Sequence, residues 1–212
     1  MNQRDTEGTT ELVYVVDDDA SVRESLCWLL STESIPSQSF DRAASLLAAW
    51  QDSWAGCILA DVRMPGMDGL ELLEALQQRE STLPVVMLTG HADVAMAIRA
   101  MKLGAFDFLE KPYRDKDLLG IVGKALAYHR DTLRESLILR GRRKAMEQLT
   151  PRERQVLTMI VDGLTNRGIA QRLGISEKTV EAHRARVMKK SGAGSLPELI
   201  RIWVAVAQSR EA

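Results

Sequence analysis

The sequence predicts a five-stranded, parallel, doubly wound α/β unit, followed by a helical linker and a small all-α unit of four helices. Three observations carry that prediction. Short apolar runs alternate with longer amphipathic stretches through the first half, the second half keeps only helical periodicity, and the two halves carry opposite charge. A chain of 212 residues has room for one domain of about 120 residues and a smaller one. The boundaries that follow are a polar tail at 1–10, the α/β domain at 11–128, the linker at 129–148 and the helical domain at 149–212.

Strands are expected at 12–16, 57–60, 85–88 and 106–109, where uninterrupted apolar residues suit strands covered on both faces. A weaker second strand falls at 37–40. Between them, apolar residues at three- and four-residue spacing mark helices at 21–31, 42–50, 68–79, 93–101 and 115–129. Five βα units in succession give a parallel sheet with helices on both faces, in the flavodoxin-like strand order 2-1-3-4-5. The linker is charged and free of Pro, and Leu126, Leu133 and Leu137 have helical spacing. Its cluster Arg140, Arg142, Arg143 and Lys144, interrupted by Gly141, reads equally as a flexible or DNA-facing stretch.

In the last part Thr150, Pro151 and Glu153 form a capping box with Pro in the first turn, which starts a helix over 151–162 that stops at Gly163. A short helix at 165–172 ends at Gly174. Ser176 caps a third to about residue 190, and Ser195 with Glu198 opens a fourth bearing Leu199, Ile202, Trp203 and Val206.

Composition excludes several classes. Hydrophobic residues make up 45% and charged residues 27%, with no apolar run of bilayer length. The first ten residues are polar, Cys27 and Cys57 lack metal-type spacing, and a cytoplasmic location is expected. Residues 1–127 hold 11 Lys and Arg against 20 Asp and Glu, net −9, and residues 128–212 hold 17 against 9, net +8. An acidic part facing cations and a basic part facing a polyanion, most often nucleic acid, would produce this asymmetry; so would a solvated basic surface.

Ligand sites in open α/β sheets lie beyond the carboxyl ends of the strands. Asp17 and Asp18 follow the first strand and Asp61 the third, its neighbour in the expected order. Three converging carboxylates repel one another, and a hard divalent cation relieves the repulsion; all-oxygen ligation suits Mg²⁺. Thr89 after the fourth strand offers a hydroxyl and Lys111 after the fifth an ammonium to an incoming phosphoryl oxygen. Singly, each reads as a helix cap or loop charge, and Asp19 is a bystander. A carboxylate so placed can attack phosphorus and form an acyl phosphate.

The stretches VVDDDASVRESL, LADVRMPGMDGLELL, VVMLTGHADV and GAFDFLEKPY resemble the receiver domains of two-component response regulators over residues 11–128. That resemblance implies Asp61 as phosphoacceptor, with Asp17, Asp18, Asp61 and the backbone carbonyl of Arg63 around Mg²⁺. It also implies contacts of Thr89 and Lys111 to the phosphoryl oxygens, Thr89 and Phe108 as the switch pair, and a cis Lys111–Pro112 bond. Arg63 and His91 flank the pocket where receivers tune phosphoryl loss, although His91 reads as well as a solvated loop histidine.

The helical order of the second half is that of a helix-turn-helix, whose last helix enters the major groove. Val180 and Val187 face its core, leaving Glu177, Lys178, Glu181, Arg184, Ala185, Met188 and Lys189 outward. Lys178, Arg184, Arg186 and Lys189 suit phosphates, and Glu181 suits a cytosine amino group. LTPRERQVLTMIVDGLTNRGIAQRLGISEKTVEAHRARVMKK resembles the LuxR-type DNA-binding domain, and the whole chain resembles the FixJ/NarL class of transcriptional regulators. By that likeness Thr165, Asn166 and Arg167 approach the DNA backbone. Lys178, Thr179, Glu181, Ala182, His183, Arg184, Arg186 and Lys189 belong to the recognition helix. Gly168 and Ser191 depart from the pattern, which has an acidic and an apolar residue there.

The expectation is therefore a regulator rather than an enzyme. A partner histidine kinase phosphorylates Asp61, receivers pair into a homodimer through the fourth helix and fifth strand, and promoter DNA is bound, with RNA polymerase a further partner and activation the expected sign. Release of a receiver that blocks the recognition helix is an alternative coupling. A Mg²⁺-dependent phosphatase would need a D-x-D pair, but Val62 and Arg63 follow Asp61. A constitutive DNA binder would not need Asp17, Asp18, Asp61, Thr89 and Lys111 together.

Overall fold

Five strands, β1 (Leu12–Val16), β2 (Ser37–Phe40), β3 (Gly56–Asp61), β4 (Val85–Thr89) and β5 (Asp107–Glu110), form one parallel sheet in the order β2-β1-β3-β4-β5. They are drawn from a computed structural model, which describes residues 10–90 and 94–208. β3 and β4 are buried along their whole length, as a strand covered on both faces must be, which explains runs without alternation. The short edge strand β2 exposes Gln38 and Ser39, a polar edge that discourages further pairing. In register, Val16 lies beside Ala60, and Asp61 beside Leu88.

The helices fall on two sides. Leu26 and Leu30 of α1 (Ala20–Thr32) and Leu118, Val122 and Ala125 of α5 (Asp115–Glu147) pack with Val15, Leu59 and Leu88. On the other side, α2 (Ala43–Ala49), α3 (Gly69–Gln78) and α4 (Val94–Lys102) bring Leu46, Leu73, Leu76 and Ala100 against Ile58, Ala60 and Met87. Asp19 caps α1 by accepting from the Ser21 N–H at 2.8 Å, so the expected bystander has a structural task. Asp68 and Glu71 close a full capping box on α3. Of the helix expected at 93–101, Asp93 lies outside the described residues, as does His91.

α5 is one helix of 33 residues, where the sequence suggested a helix to 129 and a separate linker helix. Gly141 does not interrupt it. Its cost of about 1 kcal/mol relative to Ala is offset by Leu139 and Met146, which pack into the helical core. The chain divides into two compact units between Leu133 and Arg134, inside this helix.

The second unit adds α6 (Pro151–Val161), α7 (Asn166–Leu173), α8 (Glu177–Ser191) and α9 (Leu196–Gln208) around Val156, Leu157, Ile169, Val180, Val187 and Leu199. Thr150, Thr165 and Ser176 cap α6, α7 and α8, and Gly174 takes a left-handed φ of 65° to end α7 and begin the turn. At α9 only half the expected box closes. Ser195 Oγ accepts from the Glu198 N–H at 3.4 Å, but the Glu198 carboxylate reaches back to the Gly194 N–H instead. Ser191 is buried and satisfied, donating to the Met188 carbonyl at 3.1 Å, which accounts for a polar residue in an apolar position. Among the described residues, no helix is long and apolar enough to cross a membrane.

Candidate functional site

Asp17, one residue past β1, and Asp61, the last residue of β3, come together at the carboxyl ends of neighbouring strands. The Lys111 ammonium donates to Asp17 Oδ2 at 2.8 Å and to Asp61 Oδ1 at 2.6 Å. The second oxygen of each carboxylate is held by backbone: Asp17 Oδ1 accepts from the Asp19 N–H at 2.9 Å and Asp61 Oδ2 from the Arg63 N–H at 2.6 Å. Lys111 is itself anchored through its N–H to the Thr89 carbonyl at 2.6 Å. Arg23, which sequence reasoning missed, donates to the Asp17 carbonyl at 2.7 Å and ties α1 to the acidic loop. Its only signal was its place one turn into the first helix.

Burial sets the electrostatics. Asp17 and Asp61 are 2% and 7% exposed. Loss of solvent pushes the Asp61 carboxyl above its ordinary value, and the Lys111 ammonium offsets only part of that. For Lys111 burial pulls down, but bonds to both carboxylates outweigh it and its affinity for the proton is raised. Gly69 belongs to the same construction, since a Cβ there would lie 2.3 Å from the Asp61 carbonyl oxygen and 2.7 Å from Met87 Cε.

The carboxylates of Asp17 and Asp61 and the Arg63 carbonyl are an all-oxygen donor set of the kind Mg²⁺ takes, and the residues fit that ion chemically. Asp18 is exposed and opens onto a cavity shared with Arg63, Met64 and Asp68. Among the described residues, no three carboxylate, imidazole or thiol groups stand in metal-holding positions. The gap between Asp17 and Asp61 is filled by the Lys111 ammonium.

Strand alternation separates two faces at this end of the sheet. Asp17, Asp61 and Lys111 continue the face of Val15, Leu59 and Leu109, whereas Thr89 continues that of Met87. Thr89 is buried, and Phe108, opposite Met87 in register, is half-buried against the core beneath α3 and α4. The Lys111–Pro112 bond is cis. Cys57 is fully buried, its thiol pushed up to about 12 by burial, and Cys27 is half-buried.

In the second unit Lys178, Thr179, Glu181, Ala182, Arg186 and Lys189 of α8 are exposed, while His183 and Arg184 are half-buried. Thr179 is also engaged in the cap with Ser176. Met188, expected outward, packs partly against the core. At α7, Thr165 accepts from the Gly168 N–H, Asn166 is half-buried and Arg167 is exposed. Three long-range contacts had no sequence signal. Arg152 of α6 donates to the Leu173 carbonyl at 2.8 Å, and Lys190 of α8 bonds the buried Glu153 at 2.7 Å and the Gln148 carbonyl at 3.2 Å.

A doubly wound sheet with an aspartate–lysine pocket at its carboxyl end, joined to a capped helix-turn-helix, defines a response regulator with a DNA-binding output. The chain belongs to that family: residues 13–123 match the response regulator receiver domain and residues 147–203 the bacterial regulatory proteins of the luxR family. It is 46% identical to the transcriptional regulatory protein FixJ of Azorhizobium caulinodans over 190 residues, covering 90% of each chain. It is 43% identical to the C4-dicarboxylate transport transcriptional regulatory protein DctR of Rhodobacter capsulatus, over 90% of this chain and 98% of that one. Among solved structures, the response regulator StyR matches with a TM-score of 0.79 and 38% identity, over 91% of this chain and 98% of that chain. Full-length FixJ from B. japonicum matches at 0.57 and 39%, over 94% and 98%. The strand order, the helix-turn-helix and the transcriptional role in a two-component system are as the sequence led one to expect.

Proposed function

We propose that Asp61 accepts a phosphoryl group from a sensor histidine kinase and that this switches DNA binding by α8. The Lys111 ammonium, bonded at once to Asp17 and Asp61 across two strand ends, carries the reading. Lys111 holds Asp61 ionised against its burial and is placed to pass to a phosphoryl oxygen. Asp61 attacks phosphorus, the P–N bond to the donor imidazole breaks with its electrons left on the ring nitrogen, and an acyl phosphate forms on Asp61. Asp17, Asp18, Asp61 and the Arg63 carbonyl would hold Mg²⁺, which would neutralise phosphoryl charge there. Arg63 borders the pocket and tunes loss of the group to water.

The Thr89 hydroxyl follows the phosphoryl oxygens, and Phe108, on the same face of the sheet, follows Thr89 inward. The surface of α4 and β5 then changes and pairs two chains; α4 exposes Ile98 and Met101, which supports that role. On DNA, Thr165, Asn166 and Arg167 meet the backbone. Lys178, Arg186 and Lys189 meet phosphates, with Arg184 contributing from a half-buried position, and Thr179, Glu181, Ala182 and His183 lie at the groove. Transcription is activated, through contact with RNA polymerase, in the cytoplasm.

Incubation with acetyl phosphate and Mg²⁺, followed by intact mass and DNA binding, tests the site. The native chain gains one phosphoryl mass and DNA affinity, and Asp61→Ala gains neither; equal gains in both sink the reading. Size exclusion before and after phosphorylation tests the coupling. A chain that gains affinity while staying monomeric replaces dimerisation with release of the recognition helix.

A further inference from the structure

The last turns of α5 lie in the second unit and are two-sided. Leu139 and Met146, with Leu149 just beyond the helix, pack into that unit's core, whereas Arg140, Arg143 and Lys144 are exposed. Spacings of three and four place these three cations along one side of the helix. At 1.5 Å per residue, Arg140 and Lys144 stand about 6 Å apart along the axis. Glu147 pairs with Arg143 at 3.4 Å; among the described residues no carboxylate pairs with Arg140 or Lys144.

A solvated helix face ordinarily interleaves both signs. Residues 140–144 are four cations and a glycine without an acid. Like charges four apart weaken a helix, and so does Gly141, and only the Arg143–Glu147 pair works against them on this face. What the face does offer is continuity of positive charge. On α8 the exposed Lys178, Arg186 and Lys189 lead to Lys190, which donates to the Gln148 carbonyl at 3.2 Å. The Gln148 N–H in turn bonds the Lys144 carbonyl at 3.3 Å. The carboxyl ends of α5 and α8 therefore meet, and Lys144 stands one helical turn from that junction.

We propose that Arg140, Arg143 and Lys144 form a second contact with DNA, to the phosphates flanking the site that α8 reads, and that this contact is independent of sequence. The proposal rests on the reading of α8 as the DNA-reading helix. Phosphate contacts release counterions, so each steepens the fall of affinity with salt, whereas a base contact does not.

The test uses the full chain and a random-sequence duplex several turns long, titrated across a series of KCl concentrations. Replacing Arg140, Arg143 and Lys144 by Gln keeps helix propensity and removes the charge. The salt slope becomes shallower by about 2 to 3 and affinity falls on the order of tenfold, while helix content by circular dichroism and phosphoryl acceptance at Asp61 are unchanged. Lys at all three positions restores the slope relative to the Gln variant. An unchanged slope in a folded Gln variant overturns the proposal. Tighter binding overturns it as well, by assigning the basic face to the acidic half of the chain. A Lys178→Gln, Lys189→Gln variant that binds like the native chain defeats the reading of α8, a result distinct from either.

Discussion

Each unit contains a lysine bonded to a buried carboxylate, and the two arrangements differ in stoichiometry. Lys111 divides one ammonium between Asp17 and Asp61, whose side chains are 3% and 10% exposed. Lys190 serves the single carboxylate of Glu153, 3% exposed, and gives its other bond to a carbonyl. The consequences are opposite in sign. Asp61 is pushed above its ordinary value, burial outweighing its share of Lys111. Glu153 is held down to about 2, chiefly by Lys190 and then by the Thr150 N–H. A one-to-one pair with backbone support is a closed structural tie. Two carboxylates to one ammonium leave surplus negative charge at a strand end, and that surplus is what a divalent cation can answer.

The largest expected effect is on chemistry. Lys111→Met slows phosphoryl acceptance from acetyl phosphate by about 10²–10³-fold, the usual cost of one charge-stabilising group, whereas Lys190→Met leaves it unchanged; intact-mass time courses read both, and equal rates would erase the distinction. Next comes stability. Glu153→Gln leaves the Lys190 ammonium without its carboxylate and costs the second unit about 2–3 kcal/mol, measured by urea unfolding, while Asp61→Asn costs the first unit less because burial already disfavours its charge. Gly69→Ala forces its new methyl against the Asp61 carbonyl and Met87, costing about 1–3 kcal/mol and slowing acceptance at the same time.

Acid separates the two sites further. Glu153 is depressed from 4.5 to about 2, so its stabilisation is complete above about pH 4.5 and is lost as pH falls toward 2. Asp61 is raised above 3.8, so folding gains as it protonates, and phosphoryl acceptance is lost at a pH where the Glu153 tie is still intact. A titration in which acceptance and the unfolding of the second unit fail together would contradict this. The smallest effect is a gain. Gly168→Ala stabilises the second unit by about 1 kcal/mol, because its Cβ meets nothing nearer than Thr165 Oγ1 at 3.6 Å; an unchanged melting temperature would show that the backbone there needs glycine.

The legible parts of this molecule are those governed by local pattern. Strands buried on both faces announce themselves as apolar runs, and Asp17, Asp61 and Lys111, singled out because each stands at a strand's carboxyl end, do come together. The caps at Thr150 and Ser176 follow from chemistry within three residues, whereas Thr165, expected inside the short helix, proves to be its cap. The pairing of Lys190 with Glu153 joins residues 37 apart, and nothing in their spacing marks it. Met188 defeated a helical-wheel reading because two valines seven residues apart define too narrow a core face. Gly141 suggested a break, but its neighbours Leu139 and Met146 are fixed by tertiary packing that outweighs propensity.

That packing has a bearing on how such chains are cut and joined. The segment matched to the luxR family starts at residue 147, yet Leu139 and Met146 belong to the core that the segment encloses. An output module excised at the family's edge would carry its reading helix but leave part of its own interior on the donor. Swaps between regulators are better spliced near the junction of Leu133 and Arg134, in the middle of a helix, where a seam conserves both interiors provided the helical phase is kept.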